Sequence, residues 1–232
     1  MLKVGVAIPC YIYHLPKLRF LLESIANQTV KPDYVVVSCS STKSDNVDVQ
    51  QLLSTYSQKF TLTILTTQER KNAAENRNIA SRYLLELQID IISYIDADDV
   101  MYQIRTEYIK YVFLNTDALF VLHSFIEETD SDDSYDIPTK IDPSFISYNK
   151  LVRCESGCSR HIENNNTKRH HAQCSIYSKI FEKIRYREED EFTRREDSVF
   201  CGDVLRLIGS RNVYISVPLS LYRKEGKTVD VD

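Results

Sequence analysis

The stretch Ile89-Asp-Ile-Ile-Ser-Tyr-Ile-Asp-Ala-Asp-Asp99 decides how this chain is read. Ile91, Ile92, Tyr94 and Ile95 form a short β-branched and aromatic run, which suits a central strand covered on both faces. Asp96, Asp98 and Asp99 follow at once. In open α/β sheets, ligands bind outside the carboxyl ends of the strands. The sequence therefore delivers three carboxylates to a ligand edge. Two acids one residue apart suit a hard divalent ion such as Mg²⁺ or Mn²⁺, which takes oxygen ligands. An Asp-rich turn or a helix N-cap accounts for the same residues with no functional content. The rest of the chain decides between these readings.

Upstream, strands and helices alternate. Val4 to Ile8 is an expected strand ended by Pro9, and a helix follows with Leu18, Leu21, Leu22 and Ile25 on one face. A strand at Tyr34 to Ser38 leads to a helix carrying Val49, Leu52, Leu53 and Tyr56. Thr61 to Thr66 is the next strand. Asn72 to Leu87 is a helix with Ala73, Ala80, Tyr83, Leu84 and Leu87 as its core stripe. This β-α-β-α-β-α-β order implies a largely parallel sheet with helices on both faces. Downstream the pattern is looser. Glu107 to Leu114 and Ser198 to Ile208 read as helices, Ala118 to His123 and Asn212 to Val217 as strands. Glu127 to Asp136 holds a second acid-x-acid, Asp130-Ser-Asp132, in a run read as a solvated loop. Residues 137–170 read as loops that shape a substrate pocket, and the tail after Gly226 as frayed.

Composition narrows the function. The 232 residues carry 43% hydrophobic and 27% charged side chains, the pattern of a globular protein. A net charge of −4 argues against a broad nucleic-acid surface. No apolar run approaches the ~18 residues of a membrane span, and none resembles a signal peptide. The six cysteines are thus expected as reduced thiols in a cytoplasmic setting. Only five glycines are present, and Ile8-Pro-Cys-Tyr11 follows the first strand. A Gly-rich phosphate loop is absent there, which counts against a nucleotidyltransferase and a dinucleotide oxidoreductase.

Five stretches carry a family resemblance: Val4-Gly-Val-Ala-Ile-Pro-Cys-Tyr11, Ala74-Glu-Asn-Arg-Asn-Ile-Ala80, Tyr94-Ile-Asp-Ala-Asp-Asp-Val100, Arg195-Glu-Asp197 and Leu221-Tyr-Arg223. In this order they resemble the GT-A glycosyltransferases of the family-2-like group. Ile8-Pro-Cys-Tyr-Ile-Tyr-His14, Val152-Arg-Cys-Glu-Ser-Gly-Cys158 and Glu196-Asp-Ser-Val-Phe-Cys-Gly-Asp203 are further similar to the glycosyltransferase domain that chlorella viruses use on capsid glycans. The resemblance implies one GT-A domain over residues 1–232, with a Rossmann-like nucleotide-sugar half at 1–100 and an acceptor half at 101–232. It implies a nucleoside-diphosphate sugar, with a lean to UDP, and a glycan hydroxyl as acceptor. The acid-x-acid motif maps onto Asp96-Ala-Asp98, with Asp96 toward the ribose and Asp98 on Mn²⁺ or Mg²⁺. A cation there stabilises the leaving diphosphate where charge develops. Asp99 is open between an outer-sphere bond, a contact to the sugar and a helix cap.

By the same resemblance Arg77 lies near the nucleotide or the acids, and Pro9 and Tyr11 bind base and ribose, with Tyr11 or Tyr13 free to stack on a base. Many members carry an acid after the second strand. Here the segment is Val37-Ser-Cys-Ser-Ser-Thr42, so Ser38 or Ser40 is the expected substitute. Glu196-Asp197 resembles the family's catalytic pair, with Asp197 as general base in an inverting enzyme. His170 or His171 is a candidate further metal ligand. Cys154, Cys158, His161, His170, His171 and Cys174 offer a competing structural zinc site in a non-catalytic module, at spacings that fit no standard pairing. Fusion to further domains stays open.

Overall fold

β4 (Ile91–Tyr94), the strand before the acidic stretch, is buried at all four positions. The computed structural model describes residues 2–128, 137–163, 167–189 and 195–223. β1 (Val4–Tyr11) runs parallel to β4 on one side and to β2 (Tyr34–Ser40) on the other, and β3 (Leu62–Thr67) extends the sheet from β2. Between these strands lie α1 (Leu15–Ala26), α2 (Val47–Tyr56) and α3 (Ala73–Glu86). The expected alternation is present in this half.

β1 does not stop at Pro9. Its pairing with β4 ends at Ala7↔Tyr94, while pairing with β2 continues to Tyr11↔Ser40. Pro9 therefore falls where one neighbour has already left, and its missing N–H breaks no ladder on that side. β1 alternates between two apolar layers. Val6, Ile8 and Cys10 pack with α1 and α2, whereas Ala7 packs with α3 and with later residues such as Phe181 and Phe200.

The second half supplies β5 (Val100–Met101), α4 (Arg105–Asn115), β6 (Phe120–Glu127), β7 (Ile146–Tyr148), β8 (Leu151–Arg153), β9 (Ser159–His161), β10 (Ser175–Tyr177), α5 (Ser178–Lys183), α6 (Glu196–Ile208) and β11 (Asn212–Tyr222). The main sheet runs β3-β2-β1-β4-β10-β6-β11-β5, with β7 added beside β11. β10 enters antiparallel between β4 and β6, so a late strand lies directly against the strand that precedes the acids. β6 and β11 restore a parallel pair. β8 and β9 form a separate hairpin.

Two expectations are corrected. Residues 137–170 hold three short strands as well as loops; strands of three residues carry no readable period. The inner face of α3 is not the simple apolar stripe expected. Asn76, Arg77, Asn78 and Ser81 are buried on it beside Ala74, Ala80 and Leu84, while Ala73, Tyr83 and Leu87 are only partly covered. The loop with Asp130-Ser-Asp132 and the tail after Gly226 lie outside the described residues.

α6 packs on the β8–β9 hairpin through Gly202. A Cβ there would sit 1.6 Å from Gly157 O, which is backbone and cannot swing aside. Gly202→Ala is expected to cost about 1–3 kcal/mol through overpacking. For a chain of this size each of these kcal/mol is ~2–4 °C of melting temperature. Thermal unfolding of the variant checks this, and an unchanged melting temperature would show that the hairpin yields freely.

Candidate active site

The turn after β4 places Asp96, Asp98 and Asp99 at the sheet edge by two anchors. Asp99 N–H donates to Asp96 O at 3.2 Å. Asp99 is fully buried, and its carboxylate accepts Gln173 Nε2 at 2.6 Å and the Arg223 N–H at 3.1 Å. It caps no helix, since α4 begins only at Arg105. Asp96, Asp99 and His170 each present a ligand atom, all within 4.8 Å of one another. Among the described residues this is the one such group of three or more acid, histidine or cysteine side chains. Among the described residues, His170 Nδ1 is buried without a hydrogen-bond partner. Its ring is held by Tyr222 at 4.4 Å and Phe125 at 5.3 Å. His171 turns elsewhere, its Nε2 lying 2.8 Å from Ser159 Oγ.

These acids repel one another in a poorly solvated place. Burial, then Asp96 and Asp98, push the Asp99 carboxyl well above its ordinary value. Burial and Asp96 raise Asp98 as well, with His14 and Lys17 pulling it back. A divalent cation is the compensation such crowding calls for. The orphaned imidazole nitrogen and the carboxylates of Asp96 and Asp99 are a donor set that fits Mn²⁺ or Mg²⁺, with Asp98 outside the 4.8 Å group.

α3 begins with a capping box. Asn72 Oδ1 accepts the Glu75 N–H at 2.9 Å, and Glu75 Oε2 accepts the Asn72 N–H at 2.7 Å. The next turn points three polar side chains inward. Asn76 accepts Ser38 Oγ at 2.8 Å and donates to Ser40 Oγ at 3.2 Å. Asn78 Nδ2 donates to Tyr186 O at 2.8 Å and Glu188 Oε1 at 2.7 Å. Arg77, 3% exposed, donates from Nη2 to Asp96 Oδ1 at 2.6 Å and from Nη1 to Glu196 Oε1 at 2.8 Å. Burial alone would lower the Arg77 pKa, but Asp96, Tyr186, Glu196 and Asp197 raise it well above the ordinary value. The guanidinium is thus a permanent cation joining α3, the acidic turn and the start of α6.

A cleft of about 380 Å³ opens over these groups, lined among others by Pro9, Tyr11, Arg77, Asp96, Asp98 and Glu196. Tyr11 meets Tyr13 edge to face at 5.3 Å and lies under Arg70 at 5.6 Å. Ser38 and Ser40 do not line it. Both are buried behind the cleft and bonded to Asn76. This corrects the expectation that one of them meets a base: their hydroxyls hold α3 to β2. At the head of α6, Glu196 is committed to Arg77. Asp197, beside it, accepts only its neighbour's Ser198 N–H at 2.6 Å among the bonds described.

The family model for glycosyl transferase family 2 matches residues 5–208. The chain belongs to glycosyl transferase family 2. Its fold is GT-A, as the sequence led one to expect. Among solved structures, S. aureus TarS 1–349 in complex with UDP-GlcNAc superposes with a TM-score of 0.71 at 16% identity, over 98% of this chain and 60% of that one. The same TarS piece with UDP gives 0.69 at 17%, over 97% and 61%. The mannosyltransferase PcManGT from Pyrobaculum calidifontis, in complex with GDP-Man and Mn²⁺, gives 0.62 at 16%, over 96% and 56%. This family 2 chain therefore spans only about 60% of the TarS piece. No curated protein matches it. Among the described residues no helix is long and apolar enough to cross a membrane.

Beneath Asp99 the family 2 chain carries a buried polar network that sequence reading missed. Gln173 holds Asp99 and accepts from Ser220 Oγ. Arg105 Nη2 donates to Tyr94 O at 2.8 Å and Gln173 O at 3.2 Å, and its Nε donates to His123 Nε2 at 3.0 Å. Burial lowers the Arg105 pKa to about 10. His123 Nδ1 lies 2.7 Å from Ser124 O, so the proton sits on Nδ1 and the ring is neutral. Burial, then Arg105, hold the His123 pKa well below 6.5. Unfolded His123 takes a proton near that value and folded His123 does not. Its contribution is therefore complete above pH 6.5 and lost as pH falls below it, at up to about 1.4 kcal/mol per pH unit. Urea unfolding at several pH values between 5 and 7.5 should give a slope one proton shallower in His123→Gln, whose Oε1 still accepts from Arg105. Equal slopes would remove His123 from the acid response.

Proposed function

We propose that this chain is a metal-dependent glycosyltransferase that moves a sugar from a nucleoside-diphosphate sugar to a hydroxyl of a glycan acceptor. The carrying observation is the group of Asp96, Asp99 and His170, whose Asp96 lines, together with Asp98, a cleft that Arg77 joins to α6. Asp96, Asp98, Asp99 and His170 would hold Mn²⁺ or Mg²⁺, and His171 stays outside this set. When bound, the ion stabilises the negative charge that builds on the departing diphosphate. Pro9 and Tyr11 form the wall that meets base and ribose. Ser38 and Ser40 act through Asn76, as positioning residues. Arg77 pairs with Asp96 and with Glu196, and so ties the acidic turn to the head of α6. Asp197, which among the described residues has no salt bridge of the kind Arg77 gives Glu196, takes the acceptor's proton as that oxygen attacks the anomeric carbon.

The donor is read as a UDP-sugar, since S. aureus TarS is seen with UDP and with UDP-GlcNAc. GDP-Man and Mn²⁺ in PcManGT make GDP the alternative to test against. Residues 1–100 bind the nucleotide and 101–232 the acceptor, within one domain. A viral capsid glycan is the narrower acceptor reading, resting on the sequence resemblance alone, with cytoplasmic action and possible fusion to further domains.

Melting curves with UDP, GDP, CDP or ADP, each with and without Mn²⁺, test the reading. Ligand at about 100 times its Kd adds ~2.7 kcal/mol to the native state, which corresponds to roughly 5–11 °C here. A rise with UDP that needs Mn²⁺ is expected. A rise with another nucleotide moves the donor and keeps the reaction class. No shift with any nucleotide would overturn the reading.

A further inference from the structure

Two of the six cysteines stand apart from the cleft and the apolar core. Cys10, Cys39, Cys174 and Cys201 are buried, whereas Cys154 and Cys158 are half-exposed. They close the β8–β9 hairpin: the Cys154 N–H donates to Cys158 O at 2.8 Å, and the Gly157 N–H to Cys154 O at 3.0 Å. Gly157 holds φ at +90°, which an L side chain rarely adopts, and this folds the turn back on itself. The two Sγ atoms lie 2.7 Å apart, less than an ångström beyond the ~2.0 Å of a disulfide bond. Ser156 Oγ sits 3.1 Å from one sulfur and 3.2 Å from the other. No acid or histidine completes a metal group with them among the described residues.

We propose that Cys154 and Cys158 are a reversible dithiol–disulfide site, closed by exchange with a small-molecule disulfide such as oxidised glutathione. The Cys154 thiolate attacks one sulfur of the incoming disulfide, whose S–S bond breaks and releases one thiolate. Cys158 then gives up its proton and attacks Cys154 Sγ, forming the intramolecular bond and expelling the second thiolate. Two electrons pass to the small molecule, which leaves as two thiols. The order of attack follows the local chemistry. Burial opposes ionisation of Cys154, but hydrogen bonds from Cys158 and Ser156 bring its pKa below the ordinary value. Burial and the neighbouring Cys154 raise that of Cys158. The lower-pKa thiol supplies more of the nucleophilic thiolate.

The site bears on more than the hairpin. Gly157 lies between the two cysteines, and its carbonyl presses on Gly202 of α6. The closed form fixes the turn that supports the helix beginning with Glu196 and Asp197.

The test treats the whole chain with oxidised glutathione, quenches with acid, alkylates the free thiols and maps the cysteines by mass spectrometry. The expected product lacks two hydrogens on the peptide holding Cys154 and Cys158, retains no glutathione, reverts with dithiothreitol and melts higher than the reduced chain. Cys158→Ser should trap glutathione on Cys154, because the resolving thiol is gone. Cys154→Ser should gain little adduct. Both thiols remaining alkylatable, glutathione persisting on both, or stoichiometric zinc bound to them in the purified chain would each overturn the proposal.

Discussion

Replacing Arg77 with methionine is expected to cost about 3–5 kcal/mol of stability, because it leaves a buried carboxylate without its counter-charge. Methionine keeps most of the aliphatic volume, so the loss reads the charge rather than a cavity. Glu196 is 10% exposed at its side chain and has Arg77 as its salt-bridge partner. Burial already pushes its pKa up, and Arg77 is what pulls it back. Asp96, 26% exposed, keeps more water and suffers less. The ring of Tyr186 also loses the guanidinium 5.2 Å from its centre. At ~2–4 °C per kcal/mol, the melting temperature should drop by roughly 6–20 °C. Arg77→Lys should recover only part of this, since one ammonium cannot present two parallel donors to carboxylates on different elements. Adding Glu196→Gln to Arg77→Met should restore part of the loss, because the uncompensated charge goes with it. A double-mutant cycle with no coupling, or an unchanged melting temperature, would mean that the bridge does not hold α3 to α6.

The alternating half of the fold was legible because its periods are long enough to read. Leu18, Leu21, Leu22 and Ile25 mark α1, and each is buried. Asp96, Asp98, Arg77, Glu196 and Asp197 were singled out by ordered motifs, and the fold brings Arg77 between Asp96 and Glu196, the latter 119 residues along the chain. Other parts left no mark in the sequence. His170 and His171 are adjacent letters, and only the path of the chain into β10 decides that the first faces the acids while the second meets Ser159. Ser38 and Ser40 looked like base contacts because hydroxyls at a strand end can be either ligands or struts. Asn76, read as one letter of a helix motif, claims both. Arg105, His123, Gln173 and Ser220 lie on four separate segments, so nothing local announces that they form one buried network. A polar residue on an inward helix face, such as Arg77, is where an apolar-stripe argument fails, and that failure coincides with the candidate site.

Asp197→Asn is expected to reduce kcat by about 10²–10⁴, the range a positioned general base contributes, with much smaller effects on folding and nucleotide binding. The two acids at the head of α6 are separable on structural grounds. Glu196 is consumed by Arg77, so its replacement acts first on stability. Asp197 Oδ1 accepts the Ser198 N–H, and asparagine retains an oxygen that can do the same. The helix start therefore survives in the variant while the group able to take a proton is lost. Both acids also favour the helix N-terminus electrostatically, a contribution of ~0.3–1 kcal/mol that the neutral amide gives up. That amounts to a few degrees of melting temperature at most. The decisive comparison sets kcat, measured with whichever donor the nucleotide screen selects, against the Mn²⁺-dependent melting shift of the same protein. A collapse in kcat with the shift retained assigns the proton transfer to Asp197. Turnover within tenfold of the original would remove it from the chemistry. A lost melting shift would instead make it part of the donor site, as in an enzyme that retains the sugar's configuration.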